Sequence, residues 1–312
     1  MMVNDFRDAP AKRSCGTMIE YNRLAELDPG YRARLADIED NIQRRVAKMS
    51  GVARLSLQVI PVVVHILYKV DDDNISGAQV ASQIDVLNQD FNRQNSDVIN
   101  VPLPWSGLVG NAHIKFKIAT IDPNGEMRSG IIRKRTEVDF FGQDDGMKFS
   151  ASGGSDAWDT DQYLNIWVCN LADGLLGYAQ FPGGPSDTDG VVVQTRAFGT
   201  VGTASAPFDR GRTTTHEVGH FLNLRHIWGD TEDCSGTDHV SDTPRQKHPN
   251  YGTPTFPTIS CNNGPHGDMF MNYMDYVNDA AMFMFTAGQV ARMRATLAGP
   301  RSNLVKEAAK RT

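Results

Sequence analysis

The residue types that point most directly to chemistry are two histidines and a glutamate in the string HEVGH. His216 and His220 are four positions apart, so on a helix both imidazoles lie on one face and reach the same metal ion. Glu217 stands beside them and can act as a base towards a water molecule that zinc has made acidic. A catalytic zinc takes three protein ligands and keeps one position open, so this pattern requires a third ligand.

The third ligand is predicted six residues after the second histidine, in the string HEVGHFLNLRH. A continuous helix would carry His226 away from the metal, so the chain must turn sharply before it. Asn223 stands where this turn belongs, and Asn follows Gly in its tolerance of a positive φ. A bare HExxH occurs by chance fairly often, whereas the extended pattern does so rarely. The alternative of three surface histidines on a helix is therefore disfavoured.

The extended motif resembles that of the metzincin zinc endopeptidases and, more narrowly, of the ulilysin-like (cytophagalysin) branch of the pappalysin family. That branch also has Asn at the turn, followed by RHIWGD as here. The resemblance extends from Cys15 to about Leu297. It implies a metzincin-like α/β fold, in which a twisted mixed sheet and an active-site helix lie above the zinc and an irregular C-terminal subdomain lies below. It also implies hydrolysis of peptide bonds in extended polypeptides by zinc-activated water.

A second motif follows at the distance that the resemblance requires. Metzincins carry a methionine-containing turn beneath the zinc, and the string MNYMDY occupies residues 271–276. The resemblance makes Met274 the turn methionine, which packs under the histidines without binding the metal. It makes Tyr276 the tyrosine that stabilises the tetrahedral intermediate. Without the histidine motif, both would be interpreted as ordinary core residues.

The first 54 residues, here called the leader, differ in charge from the rest of the chain. The leader holds ten basic and eight acidic residues, whereas the remainder holds 21 basic and 29 acidic residues. A basic leader on an acidic body suggests an accessory segment that lies against its own domain. An ordinary N-terminal helix is the alternative. The resemblance implies a pro-segment at 1–54 and a catalytic domain at 55–312, with an upper subdomain of about 55–222 and a lower one of about 223–312.

A cysteine in the leader gives it a chemical role. The string RSCGTM places Cys15 where ulilysin-like proenzymes hold a latency cysteine. A thiolate is a strong zinc ligand and would fill the position that the catalytic water needs. The alternative is a lone unpaired cysteine near a terminus. The resemblance therefore predicts a latent proenzyme whose own pro-segment is an intramolecular inhibitor.

The other three cysteines bear on location. Four cysteines are too few for a disulfide scaffold, but the resemblance implies a disulfide between Cys234 and Cys261 that staples the loop-rich segment after the zinc motif. Cys169 lies in the apolar string LNIWVCN and is predicted to be a buried free thiol. A disulfide implies an oxidising compartment, so a secreted protein is expected although the N-terminus lacks the apolar core of a secretion signal.

Five acidic residues lie between positions 230 and 242, which suits a hard cation such as calcium. The resemblance implies structural calcium in this region, with Asp238 and Asp242 as candidate ligands. A solvated acidic loop remains the alternative, and the spacing does not fit an EF-hand.

A short apolar stretch is the candidate substrate-binding edge. The string LLGYA at 175–179 resembles the metzincin edge strand that pairs with an extended substrate through main-chain hydrogen bonds, so Leu176, Gly177 and Tyr178 are candidate substrate-binding residues. A plain edge strand with a loop is the alternative.

Cleavage preference is also predicted from the resemblance. Ulilysin-like enzymes cut before a basic residue, which requires an acid in the receiving pocket. The candidates are Asp238, Asp242 and Asp268. Arginines at positions 44–54 would give such an enzyme places to remove its own leader.

Periodic apolar residues predict the elements that position these groups. Alternation and β-branched residues predict strands at Val59–Tyr68, His113–Ile121, Tyr163–Cys169 and Gly190–Gln194. Helical spacing predicts a helix at Asp28–Met49 and another that begins at an N-cap, Ser76, and ends at Phe91. A third helix is predicted to begin near Thr213, and the last helix is predicted at Thr286–Leu297.

Composition excludes several classes of protein. An apolar fraction of 40% is too high for a disordered chain, and a net charge of −6 argues against a general nucleic-acid binder. The longest apolar run, Val59–Tyr68, is too short to span a bilayer. We therefore expect polypeptide substrates and neither nucleic acid nor membrane as partners.

Two other functions are compatible with an HExxH helix. The first is a zinc hydrolase whose third ligand is a downstream glutamate, and His226 together with the methionine turn disfavours it. The second is a non-catalytic, zinc-stabilised protein-binding module, in which loss of Glu217 would be expected, whereas the residue is present. A zinc metalloendopeptidase accounts for more of the sequence than either.

Overall fold

The computed structural model describes residue 10, residues 12–49 and residues 56–310, and its architecture is α/β. The helices of these residues are α1 (Thr17–Leu27), α2 (Tyr31–Lys48), α3 (Gly77–Phe91), α4 (Leu103–Ser106), α5 (Arg212–Phe221), α6 (Ala287–Leu297) and α7 (Ser302–Lys310). The strands are β1 (Gln58–Tyr68), β2 (Ile114–Ile118), β3 (Ile131–Arg135), β4 (Leu164–Cys169), β5 (Gly177–Ala179), β6 (Val191–Gln194), β7 (Tyr251–Gly252) and β8 (Tyr276–Val277).

A six-stranded, mostly parallel sheet forms the centre of the fold. Its order is β2-β1-β4-β6-β5, and β3 also pairs with β1. The eleven residues of β1 are long enough to pair with β2 along the first half and with β3 along the second. Only β5 runs antiparallel to its neighbour. The sheet therefore ends in a short antiparallel edge strand.

Alternating side chains of β1 supply two separate cores. Val62, Val64 and Ile66 belong to the large core, which also contains side chains of α3 and α5. Val63 and Leu67 face the opposite side of the sheet and belong to two smaller clusters. Because successive strand residues point to opposite faces, one apolar strand can pack on both sides. This packing fixes α5 beneath the edge of the sheet, where it contacts β5 and β6.

Most predicted elements are confirmed, with ends that differ by a few residues. Ser76 caps α3 as predicted, since its side chain accepts a hydrogen bond from the backbone N–H of Gln79. The prediction that the helix ending at Leu297 is the last one was wrong, because α7 follows it after a turn at Gly299 and Pro300. Strand β3 and helix α1 were not predicted. The string IIRKR of β3 is short and charged, so its periodicity is weak.

The described part of the leader packs on the rest of the chain. Helix α1 contacts β5, and α2 contacts α6. Tyr31 and Leu35 of α2 pack with Leu24 of α1 and with Phe181 in a small apolar cluster. The predicted boundary at residue 54 lies outside the described residues. The leader thus lies against the body of the protein, as its charge suggested.

The segment between α5 and α6 is irregular, with β7 and β8 as its strands in the described structure. The predicted disulfide is confirmed, because Cys234 and Cys261 are bonded across this segment. Cys169 is buried and free, also as predicted. Among the described residues, no helix is both long enough and apolar enough to cross a membrane.

Candidate metal centre and cleft

The three predicted histidines converge on one point. The Nε2 atom of His220 lies 3.2 Å from Nε2 of His216 and 3.0 Å from Nε2 of His226, and the remaining pair is 3.3 Å apart. At a Zn–N distance of about 2.0–2.1 Å, tetrahedral ligands lie about 3.3–3.4 Å from one another. The spacing of the three nitrogens is therefore close to that of a zinc site.

The outer ring nitrogens show which tautomers are present. Nδ1 of His216 lies 2.6 Å from the carbonyl oxygen of Tyr273, and Nδ1 of His220 lies 2.8 Å from that of Leu224. Carbonyl oxygens only accept, so both Nδ1 atoms donate and both Nε2 atoms carry lone pairs. Burial lowers the pKa of both imidazoles, which keeps them neutral. Lone pairs that face one another at this distance repel unless a cation lies between them, so the donor set fits a metal.

The third histidine is oriented by a carboxylate. Nδ1 of His226 donates to Oδ1 of Asp230 at 2.5 Å, and the imidazole stacks on the ring of Trp228. Such a partner fixes the ring orientation and makes a histidine a better ligand. From sequence alone, Asp230 is one of the acidic residues of the predicted calcium region, and nothing in its spacing indicates this role.

The turn before His226 has the conformation that the spacing predicted. Asn223 has φ of +67°, and its backbone N–H donates to the carbonyl of His220. The backbone N–H of Leu224 donates to the carbonyl of Gly219, which ends the helix. The left-handed residue reverses the chain within one turn, so the third imidazole returns to the other two.

Met274 packs directly beneath α5. Its Sδ atom lies only 2.5 Å from where a Cβ on Gly219 would be placed, so any side chain at that position would displace the methionine. Met274 is fully buried, and its carbonyl accepts from the backbone N–H of Ile227. The methionine turn therefore supports both α5 and the segment that carries the third histidine.

Cys15 of the leader lies at the histidine cluster. Its sulfur and the three histidine nitrogens all lie within 4.8 Å of one another, which is the one group of potential metal ligands found among the described residues. The thiol also lies 3.4 Å from Oε2 of Glu217. Four convergent ligands, three imidazoles and one thiol, are a complete donor set for a closed zinc site.

Glu217 is almost fully buried and bonds to two side chains of the leader. Oε2 accepts hydrogen bonds from the thiol of Cys15 and, at 3.1 Å, from the hydroxyl of Thr17. Burial raises the pKa of Glu217 to about 8, although these hydrogen bonds act in the opposite direction. A carboxyl group with a pKa near neutrality can both accept and release a proton.

Tyr276 points its hydroxyl into the same cleft. The hydroxyl donates to the main-chain carbonyl oxygen of Cys15 at 3.4 Å, and its ring packs against His226 and Trp228. The carbonyl it contacts belongs to the chain segment that fills the cleft. This placement suits a donor to a carbonyl oxygen of whatever chain lies there.

The leader pairs with the predicted substrate-binding edge. The backbone N–H of Gly16 donates to the carbonyl of Gly177 at 2.9 Å, and the backbone N–H of Leu176 donates to the carbonyl of Ser14 at 3.0 Å. The bridge between Cys15 and Gly177 is parallel. The side chain of Tyr178 is fully buried, its hydroxyl donates to Oδ1 of Asp145, and its backbone pairs with Val192 of β6 rather than with the leader.

A buried ion pair, missed by the sequence reasoning, anchors the leader beside the cluster. The guanidinium of Arg13 donates to Oδ1 of Asp279 at 2.6 Å, and both side chains are almost fully buried. It also donates to the hydroxyl of Thr213 and to the carbonyl of Val277. Two signals could have indicated this pair: the arginine lies two residues before Cys15, and the aspartate lies three residues after Tyr276.

The three acids proposed for the specificity pocket lie in other environments. Asp242 accepts from the hydroxyl of Thr286 and the backbone N–H of Gly288, at the N-terminus of α6. Asp238 accepts from Thr243, and Asp268 from Asn250, Ser260 and Asn263. None of the three bonds to a described residue of the leader. Arg13 of the leader bonds to a different carboxylate, that of Asp279.

Comparisons with known proteins agree with this arrangement. A protein-family model described as Peptidase_M43, pregnancy-associated plasma protein-A, matches residues 150–298. An extracellular metalloprotease of Arthroderma benhamiae is 31% identical over 294 residues, which covers 91% of this chain and 90% of the relative. An extracellular metalloprotease of Arthroderma otae is 34% identical over 243 residues, or 75% of this chain and 76% of the relative.

Solved structures resemble both the whole chain and its larger part. A promirolysin variant of Tannerella forsythia superposes with a TM-score of 0.88 at 48% identity and covers 96% of this chain and 99% of its own. Mature mirolysin of the same organism, in complex with a cleaved peptide, has a TM-score of 0.80 at 52% identity and covers 82% of this chain and 98% of its own. The predicted metzincin fold is thereby confirmed.

Proposed function

We propose that the protein is a zinc enzyme held latent by its leader. The proposal starts from the fact that the chain belongs to the pappalysin (Peptidase_M43) family of metalloproteases and is a metalloendopeptidase. The observation that carries the proposal is the convergence of three histidine nitrogens, the Cys15 sulfur and the Glu217 carboxylate in one buried cluster. The histidines and Glu217 supply a catalytic site, and the cysteine supplies its inhibitor.

Each side chain has a distinct task in the proposed mechanism. Zinc, when bound by the three histidines, supplies a Lewis acid that polarises the scissile carbonyl and activates water. Glu217 accepts the proton of that water and delivers it to the leaving amine. The hydroxyl of Tyr276 donates a hydrogen bond to the developing oxyanion. The edge strand β5 and Leu176 just before it would hold the main chain of an extended substrate, through the same backbone groups that bond to the leader in this structure.

The leader inhibits by filling the same positions without being cut. As a thiolate, Cys15 would take the coordination position on zinc that water needs, and the hydroxyl of Thr17 donates to Glu217. The parallel pairing with Gly177 fixes the direction of the leader against the edge strand. We propose that a productive substrate runs in the opposite direction, which would keep the leader from presenting a peptide bond to the site.

Replacing Cys15 by alanine is the direct test of this latency. We expect zinc-loaded Cys15→Ala protein to lose its leader at least about tenfold faster than wild type, because a loss of only about 1.4 kcal/mol in docking free energy opens the site tenfold more often. Intact-mass spectrometry over time measures the rate. Cys169→Ala, which removes a buried thiol outside the cleft, is the matched control. Equal rates for wild type and Cys15→Ala would contradict the proposal.

The cleft also supports a preference for cleavage before a basic residue. Arg13 places a guanidinium on the buried carboxylate of Asp279, so the pocket already accommodates the side chain that such a substrate would offer. We propose Asp279, rather than the three acids predicted from sequence, as the receiving carboxylate. Self-removal of the leader at Arg44 or Arg45 would require local unwinding, because both lie inside α2.

Structural calcium is the second part of the proposal, with Asp238 and Asp242 in the acidic segment as candidate ligands. At a calcium concentration of about a hundred times the dissociation constant, zinc-loaded Glu217→Ala protein should be stabilised by about 2.7 kcal/mol, which corresponds to a rise of about 5 °C in Tm. Differential scanning calorimetry with calcium or magnesium measures the shift, and Asp238→Asn should reduce it. Identical shifts for the two ions would contradict a calcium site.

We also propose that the protein is secreted. The disulfide between Cys234 and Cys261 is stable in an oxidising compartment, and the similar fungal proteins are named extracellular metalloproteases.

A further inference from the structure

Another ion pair joins the leader to the body, far along the chain from Cys15. Glu39 in α2 bonds to Arg292 in α6 through two parallel contacts, Oε1 to Nη1 at 2.7 Å and Oε2 to Nη2 at 2.8 Å. The side chain of Arg292 is only 2% exposed. A guanidinium and a carboxylate joined by two parallel hydrogen bonds are matched in shape as well as in charge. Arg292 is therefore a buried cation whose partner belongs to the leader.

The body of the protein holds the guanidinium in place without the help of the leader. Nη2 of Arg292 also donates to the carbonyl oxygen of Asn223 at 3.3 Å, and Nη1 to that of His239 at 3.4 Å. The Nε atom has no acceptor among the described residues. Both contacts from the body are to neutral carbonyls, so they orient the fork but do not balance its charge.

No acid of the body replaces Glu39 in the described structure. The nearby Asp238 bonds instead to the hydroxyl of Thr243 and the backbone N–H of Val240. A guanidinium cannot lose its proton at any ordinary pH, so it stays charged when its partner leaves. Removal of α2 would thus leave an oriented cation with two free donor positions on one edge.

We propose that Arg292 is a carboxylate-binding site, occupied by Glu39 in the latent protein and open to another carboxylate once the leader has gone. The ligand is a carboxylate of a bound polypeptide or a free carboxylate anion, and the two share the same planar chemistry. The inference rests on the proposed function in one respect, because exposure of the site requires that the leader be removed.

The position of the site links it to the metal centre. Asn223, whose carbonyl Arg292 contacts, is the left-handed residue of the turn between His220 and His226. Arg225 lies in the same turn, packed against the ring of Tyr21 from the leader and that of Phe181 from the body, and it forms no salt bridge with a described residue. Loss of the leader therefore removes the partner of Arg292 and one of the two rings on Arg225, which favours an acidic ligand beside the segment that carries the third histidine.

The first experiment tests the affinity of Arg292 for carboxylate in the full chain. In zinc-loaded Glu217→Ala protein, which is expected to be inactive, Glu39→Ala removes the native carboxylate. At an acetate concentration of about ten times its dissociation constant, we expect the unfolding equilibrium constant of this variant to fall about tenfold, which is measured as a rise in Tm. Asp40→Ala, which removes an exposed acid from the same helix, is the matched control.

The salts used distinguish a carboxylate site from general screening. Acetate and formate should rescue Glu39→Ala, whereas chloride at equal ionic strength should not, because it cannot bond to both arms of the fork. Equal responses of the Glu39→Ala and Asp40→Ala variants to acetate would overturn the proposal. Because the protein in this experiment does not turn over, its result is independent of whether the proposed zinc peptidase activity is correct.

The second experiment identifies the source of the carboxylate in the mature enzyme, generated from the full chain by removal of its leader. Peptide pairs that differ by Glu or Gln at each position before the scissile bond are compared with wild type and Arg292→Lys. If the carboxylate belongs to the substrate, one Glu peptide should have a KM about tenfold lower than that of its Gln partner. Arg292→Lys should abolish this difference in KM and change kcat little. If acetate rescues Glu39→Ala but no peptide pair differs, the ligand is a free anion. Absence of any peptidase activity would count against the proposed function alone.

Discussion

Replacing Glu217 by alanine should reduce kcat for peptide hydrolysis by about 10³–10⁴-fold while zinc binding is retained. The carboxylate lies beside the histidine cluster but makes none of the three nitrogen contacts, so its loss removes the proton-transfer group and leaves the ligands in place. An added protease must remove the leader from both proteins, because the variant is not expected to do so. Peptide turnover by mass spectrometry measures the effect.

Metal content and thermal stability control for structural damage in this variant. The variant should bind one zinc per chain, and removing a buried carboxyl group whose pKa burial raises to about 8 should not destabilise the fold. Glu217→Gln keeps the side-chain volume and should be equally inactive, because an amide cannot accept the proton. A Glu217→Gln protein with near wild-type turnover would show that another group is the base.

Replacing Asp279 by asparagine should reduce kcat/KM for substrates with Arg or Lys after the scissile bond by about 30-fold or more. Removing one partner of a buried charged pair costs about 2–5 kcal/mol, which is roughly 30-fold to several thousand-fold. Cleavage before leucine should change little. Competing peptide mixtures, with the leader removed from each protein, give the ratio directly.

Asp268→Asn is the matched control, because Asp268 is equally buried but accepts from Asn250, Ser260 and Asn263 and from no described residue of the leader. Asparagine at 279 retains a carbonyl oxygen for the backbone N–H groups of Arg210 and Arg212, which limits damage to the start of α5. The same variant should hold the leader less tightly, since Arg13 loses its ionic partner. Unchanged preference for basic residues in Asp279→Asn would contradict the assignment of the pocket.

The features that sequence predicts well are those whose cause is local. The spacing of His216 and His220 fixes two imidazoles on one helical face, and the position of Asn223 predicts the turn that the structure shows at φ of +67°. The buried parallel strands are also predictable from neighbouring residues, because both of their faces are buried and their sequences are therefore rich in β-branched and other apolar residues. For these elements, neighbouring residues carry enough information.

The features that sequence misses depend on distant partners. Arg13 and Asp279 are 266 positions apart, and neither belongs to a metal-binding pattern. Glu39 and Arg292 are separated by 253 positions and look like ordinary charges on two helices. Their importance comes from burial, which charge patterns do not reveal. The acids predicted for the specificity pocket were Asp238, Asp242 and Asp268, whereas the acid that bonds to Arg13 is Asp279.

Intact-mass spectrometry of the purified full chain, incubated with zinc beside the Glu217→Ala variant, tests whether the protein is a latent zinc peptidase. We expect wild type to lose about its first fifty residues and to acquire a new N-terminus at Lys or Arg, and we expect the variant to stay intact. Addition of a trace of processed wild type should then convert the variant in trans. Zinc-loaded wild type that stays intact, and shows no peptidase activity after its leader has been removed by another protease, would contradict the account.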